Sequence, residues 1–432
     1  MNVLYKLRTV LSAFFSQSKW EALRKSDVLV VRHDANCGYN YKGKVYSPII
    51  DTIVDICFSR GVSVQSVASP YSKLVGGQAY NSPVAFNRSF ILIALFGRVI
   101  TLLIGHKKGA EWVTRNRANI WLKILQSVGP KIVISIQAEP ALCRAGRMMG
   151  IPVYDYQHGV IDRKGKWYGE LLTKSKSSDI PHGFLCWDQP SAEALSGWAA
   201  EKGSSVTVVG HPWFQRFSNV NADDSLADAA TREHGRIFND EKPVILVALQ
   251  WGLHIHYYPE EGFNKVLCNA LESVIKSTSN KYNWLLRLHP VQLRGEEGAY
   301  CERYLTVQFS GMTVEWKKAS NIPLPILLAQ TDLHITDMST VVVEASWFGI
   351  PSALLNPFLN KGGRLEGLYE HERVSGIATL VPQNSDSIIS WIEEHLRAGK
   401  VALGQHGSDK SVASWLSEAL DHSNKRAALC GV

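Results

Sequence analysis

The sequence has no CxxC pair: its seven cysteines, Cys37, Cys57, Cys143, Cys186, Cys268, Cys301 and Cys430, are scattered and odd in number. That pattern argues against a disulfide framework or a zinc cluster and fits reduced thiols in a cytosolic setting. No stretch supplies the ~20 consecutive apolar residues that a bilayer crossing needs. The strongest run, Ser89 to Gly105, is interrupted by Arg98 and reads as a buried or interfacial helix. The first fourteen residues lack the small-residue cleavage site of a signal peptide. Short internal repeats, zinc-finger spacings, recognition-helix patterns and aromatic RNA-binding signatures are missing as well, so nucleic acid is not an expected partner. No DxD-like motif stands at a strand end, and no metal is expected.

What the chain does have is length and apolar content: 432 residues, 45% of them hydrophobic and 20% charged. Such a chain is globular and too long for one ordinary core, so two domains of roughly 200 residues each are expected. The net charge of +7 is modest and fits an anionic ligand or surface. Near the N-terminus Lys6, Arg8, Lys19, Arg24 and Lys25 are interleaved with apolar residues at helical spacing. The expected result is a packing helix, with contact at the inner face of a membrane as the alternative.

Strand, polar turn and helix alternate along most of the chain, which is the pattern of a doubly wound parallel sheet. In the first half, apolar runs end at Arg32-His33-Asp34, at Gln137 and Glu139, at Gln157-His158-Gly159, at Asp188-Gln189-Pro190 and at His211. CGYNYKGKVYS reads as a polar loop over the sheet edge, and the basic stretch Ile161 to Asp179 as a mobile loop. Residues 218–242 are polar and acidic and read as a connection with one helix. A fresh alternation then starts with PVILVALQW, which ends at Gln250 and Trp251. The expected division is a first domain over 1–217, the connection over 218–242, a second domain over 243–400, and a C-terminal helix and tail over 401–432.

Two polar clusters in the second half carry the most chemistry. NWLLRLHP places Arg287, His289 and Pro290 where a strand is stopped by proline. DLHITDMSTVVVEASWFGIP places Asp337, Ser339, Thr340 and Glu344 around a strand-to-helix turn. Ligands of open parallel sheets bind beyond the carboxyl ends of the strands, and a helix start favours phosphate. Ser339, Thr340 and His289 therefore form a candidate diphosphate or nucleotide-phosphate pocket, although helix capping alone also accounts for the two hydroxyls. In the first half, Glu139, His158, Asp188, Gln189 and His211 share one sheet edge. His158 is the preferred general base there, since an unshifted imidazole titrates near neutrality. Asp188, directly before a helix, is equally well placed to be a cap.

The order of QHG (Gln157–Gly159), VVGHPW, ILVALQW, LRLHP and ITDMSTVVVEASWFGIP resembles GT-B transferases with cytidine-nucleotide donors: CDP-glycerol glycerophosphotransferases, bacterial polysialyltransferases and Kdo transferases. The likeness spans roughly residues 130 to 360. It implies an α/β, GT-B architecture with two Rossmann-like domains facing across a cleft. It also implies that His289 and Ser339 with Thr340 hold the donor phosphate and that Glu344 lies near the ribose or cytosine; Arg287, Pro290, Gln250, His211 and Gln189 are further candidate donor-binding residues. His158 would be the base in the glycerophosphate type, and Asp188 the carboxylate in the β-Kdo type. The polyol-phosphate enzymes usually carry DYSS where this chain has DMST, so a β-Kdo-like transferase is preferred. Its donor would be CMP-Kdo and its acceptor an oligosaccharide or lipid-linked glycan of lipopolysaccharide or capsule, with no other cofactor. The rivals are a CDP-glycerol-type polyol-phosphate transferase, a UDP-sugar epimerase and a non-catalytic glycan-binding module.

Overall fold

The computed structural model describes residues 13–161, 166–218, 224–253, 266–400 and 410–429. The basic segment before residue 13, and the parts of the two expected loops and the tail at 162–165, 219–223 and 401–409, lie outside these residues. The chain forms two compact units, Met1–Gln215 with Gly407–Val432, and Arg216–His406.

In the first unit the strands are β1 (Val28–Arg32), β2 (Tyr39–Tyr41), β3 (Lys44–Tyr46), β4 (Val64–Ala68), β5 (Ile132–Ser135), β6 (Val153–Tyr156), β7 (Gly183–Cys186) and β8 (Ser205–Val208). Six of them make one parallel sheet in the order β4-β1-β5-β6-β7-β8. VLVVR and IVIS are buried along their whole length, because helices cover both faces of a parallel sheet and no outward side is left to be polar. Its helices include α1 (Ile50–Ser59), α2 (Asn87–Ile104), α3 (His106–Val128), α4 (Pro140–Met149) and α5 (Gln189–Glu201). Pro140 and Pro190 enter α4 and α5 in their first turns, where a missing N–H costs nothing. One layer of core packs Leu29, Val31, Phe90, Trp121, Ile124 and Val133 together. Another packs Tyr168, Leu172, Phe184 and Leu195.

Two expectations change here. CGYNYKGKVYS is an antiparallel hairpin, β2 with β3, turned by Lys42 and Gly43, both at positive φ (50° and 73°). Positive φ at both turn residues matches the right-handed twist of the two strands. Its strands of three residues are too short to announce themselves by alternation; rings hold them, with Tyr46 4.9 Å from Tyr80 and its hydroxyl donating to Asp55 at 2.7 Å. The basic stretch after Ile161 is helical where it is described, from Lys166 to Lys174, and buried Tyr168 packs on Phe184. Those apolar anchors, rather than its lysines, decide its state.

The second unit holds β9 (Val244–Ala248), β10 (Asn283–Arg287), β11 (Val314–Glu315), β12 (Leu333–Thr336), β13 (Ser352–Leu354) and β14 (Ala378–Leu380). They form a parallel sheet in the order β11-β10-β9-β12-β13-β14. In order of appearance this is 3-2-1-4-5-6, the doubly wound order of a Rossmann domain, whose strand order reverses between β9 and β12. Its helices include α6 (Asn269–Thr278), α7 (Gly295–Phe309), α8 (Val341–Ser346) and α9 (Ser385–Ala398). Ile245, Val247, Trp284, Leu286, Ile335, Leu305 and Trp391 form its core. A helix over Ser225–Glu233 occupies the stretch expected to connect the domains, capped by Asp224. The last helix, α10 (Val412–Leu429), groups with the first unit, where Trp415 meets Tyr154 edge-on at 4.9 Å.

Candidate functional site

The reversal of strand order in the second unit brings the ends of β10, β9 and β12 side by side. After β10, Pro290 stops the strand and opens a short 3-10 turn, Pro290–Leu293, capped by His289. His289 Nδ1 accepts the Val291 N–H at 3.2 Å, and Gln292 Oε1 accepts the His289 N–H at 2.9 Å. The first of these bonds assigns the ring's proton to Nε2, so the imidazole presents an N–H donor on its other side. Burial lowers the His289 pKa below the ordinary histidine value. Gln250 follows β9, and Gly252 turns the chain behind it at φ 76°.

Beyond β12, Thr336 is the knot of the turn. Its hydroxyl donates to the Ala248 carbonyl at 2.8 Å and accepts the Ser339 N–H at 3.1 Å, tying the ends of β12 and β9 together. Ser339 Oγ lies 3.4 Å from the Val341 N–H it caps, and the Thr340 side chain makes no capping bond. The Tyr369 hydroxyl holds the Met338 carbonyl at 2.8 Å from outside.

At this edge a half-buried arginine lies near a buried glutamate. Arg287 Nη1 donates to the carbonyls of Ala319 and Ile322 at 2.6 and 2.8 Å. That nitrogen is thus committed to backbone oxygens. Burial lowers the Arg287 pKa to about 10, with Glu344 opposing the shift. Glu344, in the first turn of α8, is 93% buried by its 7% exposure, and its Oε2 has no hydrogen-bond partner among the described residues. Burial raises its pKa to about 7, against the pull of Arg287.

In the first unit the strand order reverses between β1 and β5, so His33 and Gln137 stand at its switch point. Gln137 is at φ 49°, and the next N–H, of Ala138, is received by Asp155 Oδ1 at 3.4 Å. Burial pushes the Asp155 carboxyl up to about 7. His158 was expected to titrate near neutrality; burial instead lowers it to about 4, and the nearby His33 adds to the shift. A histidine needs water or a counter-charge to hold its proton, and a ring whose Nδ1 is buried without a hydrogen-bond partner among the described residues finds little of either. The pairing of His158 with His33 had no signal beyond RHD ending a strand.

The other candidates are spread along the same edge. Glu139 forms an ion pair with Arg117 at 3.0 Å and accepts from Trp121, both on α3, and burial raises its pKa. Asp188 caps α5, accepting the Ser191 N–H at 2.9 Å. Gln189 is exposed and donates to Glu193 at 3.1 Å. His211 packs between Trp187 and Phe214, with centroids 4.5 and 5.0 Å away, and burial lowers it to about 3. Gln157 emerges as the organiser: its Oε1 accepts the Trp187 N–H at 2.7 Å, and its amide donates to Ser191 Oγ and the Gly159 carbonyl, each at 2.9 Å.

Among the described residues no group of three or more histidine, cysteine, aspartate or glutamate side chains is arranged to hold a metal ion.

No protein-family profile matches the sequence, and no curated protein matches it by sequence. Solved structures do resemble it. The wall teichoic acid polymerase TagF, in a histidine-to-alanine variant, aligns at 14% identity with a TM-score of 0.56, over 99% of this chain and 96% of that one. The UDP-GlcNAc 2-epimerase of Neisseria meningitidis, bound to UDP-GlcNAc, aligns at 12% identity with a TM-score of 0.54, over 91% of this chain and 99% of that one. The enzyme of the same name from Methanocaldococcus jannaschii gives 13% and 0.54, with the same coverage. At such identities the likeness speaks for the fold. The chain is an α/β protein with the GT-B fold, built from two Rossmann-like sheets.

Proposed function

We propose that this protein is a glycosyltransferase that moves a sugar from a nucleotide-activated donor, with the donor held by the second unit and the acceptor by the first. The observation that carries the reading is the edge at the strand-order reversal. There the Nε2–H of His289, the side chain of Gln250 and the turn at Ser339 and Thr340 come from three adjacent strands, beside Arg287 and the buried Glu344. Donors placed where a leaving phosphate gains charge would stabilise it, and the protonated nitrogen of His289 is such a donor. The Thr340 hydroxyl, not used in capping, is another.

The donor we favour is a CMP-activated sugar, with CMP-Kdo first, and the acceptor a bacterial surface glycan of lipopolysaccharide or capsule, reached from the cytoplasmic side. His158, neutral near pH 7, is then the candidate to receive the acceptor's proton. The alternative is Asp188 as the carboxylate of the reaction, which requires it to leave or share its cap. The resemblance to TagF over nearly the whole chain keeps polyol-phosphate transfer from a CDP-linked donor as a second reading. The resemblance to the 2-epimerases keeps turnover of a UDP-sugar as a third.

A thermal-shift panel of CMP, CDP, UDP and GDP, repeated on His289→Ala, tests the proposal. A nucleotide present at about 100 times its dissociation constant should add about 2.7 kcal/mol. Stabilisation by CMP or CDP that is lost in the variant supports the cytidine donor, and release of CMP from CMP-Kdo only when a glycan acceptor is added supports sugar transfer. A response to UDP alone, with turnover of UDP-GlcNAc in the absence of acceptor, replaces the proposal with the epimerase.

A further inference from the structure

Helix α2 was expected to be buried or interfacial, and burial describes only its inner side. Phe90, Ile91 and Gly97 face inward. The helix is joined to α3 at Gly105 and lies tightly along it, because a Cβ on Gly97 would fall inside the Val113 side chain and one on Gly109 inside Thr101. The outward side carries Leu92, Leu95, Phe96, Val99, Leu102 and Leu103. Their spacing of 3, 1, 3, 3 and 1 residues follows the helical repeat, so they form one continuous stripe. Phe96 is 61% exposed, Leu103 75% and Leu102 86%. Single exposed apolar residues are ordinary, but a stripe the length of an 18-residue helix, about 27 Å, is a surface meant to be covered.

The charges around the stripe identify the cover. Residues 87–110 contain Arg88, Arg98, His106, Lys107 and Lys108 and no aspartate or glutamate. Arg88, Arg98, Lys107 and Lys108 are all exposed. At the start of the helix Arg88 sits over the ring of Phe14 at 5.0 Å, and Phe15 beside it is 72% exposed, which extends the apolar surface. A second copy of this chain would bring the same cationic rim against this one, at an electrostatic cost. An anionic lipid surface offers both matching features, acyl chains for the stripe and phosphates for the rim. The helix is long and apolar enough to cross a bilayer by length and composition. Its firm seat against α3, and Arg98 at mid-length, favour lying in the interface plane instead.

We infer that α2 and the turn into α3 dock on an anionic membrane surface, with the outward stripe inserted at the headgroup boundary and Arg88, Arg98, Lys107 and Lys108 on lipid phosphates. This surface is separate from the donor site and does not rest on the proposed chemistry.

The test is co-sedimentation of the full chain with vesicles of phosphatidylcholine alone, or mixed with phosphatidylglycerol, at low and high salt. The expected result is pelleting with the anionic vesicles only, weakened by salt. At about 1 kcal/mol per cation near such a surface, Lys107→Glu with Lys108→Glu should weaken binding by about tenfold or more. Leu102→Gln with Leu103→Gln should weaken it comparably, and both double variants should keep the parent's melting temperature and its nucleotide response. Absence of pelleting, equal binding to neutral vesicles, or binding unchanged in both variants overturns the inference. So does a dimer in light scattering that the Leu102 and Leu103 changes dissociate while vesicles are ignored. Because nucleotide response is read on the same proteins, failure here is distinct from failure of the donor site.

Discussion

Half-buried Arg287 and buried Glu344 lie near one another at the carboxyl edge of the second sheet, and each is the charge that most opposes the other's burial shift. Among the described residues no hydrogen bond joins them: Arg287 donates to the Ala319 and Ile322 carbonyls, and Glu344 Oε2 is left without a partner. The carboxyl is therefore only partly compensated, and its proton is retained to about pH 7.

Its pH dependence follows. Burial raises the folded-state pKa of Glu344 from the ordinary 4.5 to about 7. The folded form thus holds the proton more tightly, and the stabilising contribution is complete below about pH 4.5 and lost as pH rises through about 7. Glu344→Gln cannot titrate. Relative to the parent, it should gain on the order of 2 kcal/mol between pH 5 and pH 8 in urea unfolding. A parent-to-variant difference that is flat with pH would show the carboxylate to be ionised throughout.

Gln157 satisfies groups from three segments at once, so its loss cannot be absorbed locally. Gln157→Leu leaves the buried Trp187 N–H without its acceptor. A cost of about 2–3 kcal/mol is expected from denaturant melts, since an unsatisfied buried donor loses its full solvation. A cost under half a kilocalorie would mean that water replaces the amide.

Asp188 allows capping to be separated from chemistry. Asparagine caps about as well as aspartate, so Asp188→Asn should melt within a few tenths of a kcal/mol of the parent, whereas Asp188→Ala should lose about 1 kcal/mol. If the carboxylate acts on the substrate, both variants lose CMP release by several orders of magnitude. If it is only a cap, Asp188→Asn remains active.

Gly97 marks the closest approach of α2 to α3. Gly97→Ala places a methyl group inside the Val113 side chain and should cost about 1–3 kcal/mol by overpacking. Combining it with Val113→Ala should recover much of that loss in thermal melts. Absence of rescue would mean that the helices separate rather than repack.

Much was readable along the chain because it depends on neighbours in sequence. VLVVR, IVIS and VILVA are apolar without alternation, which marks strands covered on both faces, and prolines and polar turns mark where they stop. The strand ends at His158, Asp188, His289 and Ser339 were readable for the same reason. The hairpin at Tyr39–Tyr46 was not, since it depends on rings distant in sequence, and neither was the buried state of Tyr168.

Sequence alone determined the alternation of strands and helices, the two-sheet α/β class and which residues stand at strand ends. Tertiary structure alone decided the order of the strands, and so that His289, Gln250 and Ser339 share one edge while Glu139 turns to Arg117. It also decided that His158 is desolvated, that Arg287 is committed to carbonyls, and that the stripe on α2 faces outward. Periodicity is a property of adjacent residues, but desolvation, ion pairing and exposure depend on segments brought together from distant parts of the chain.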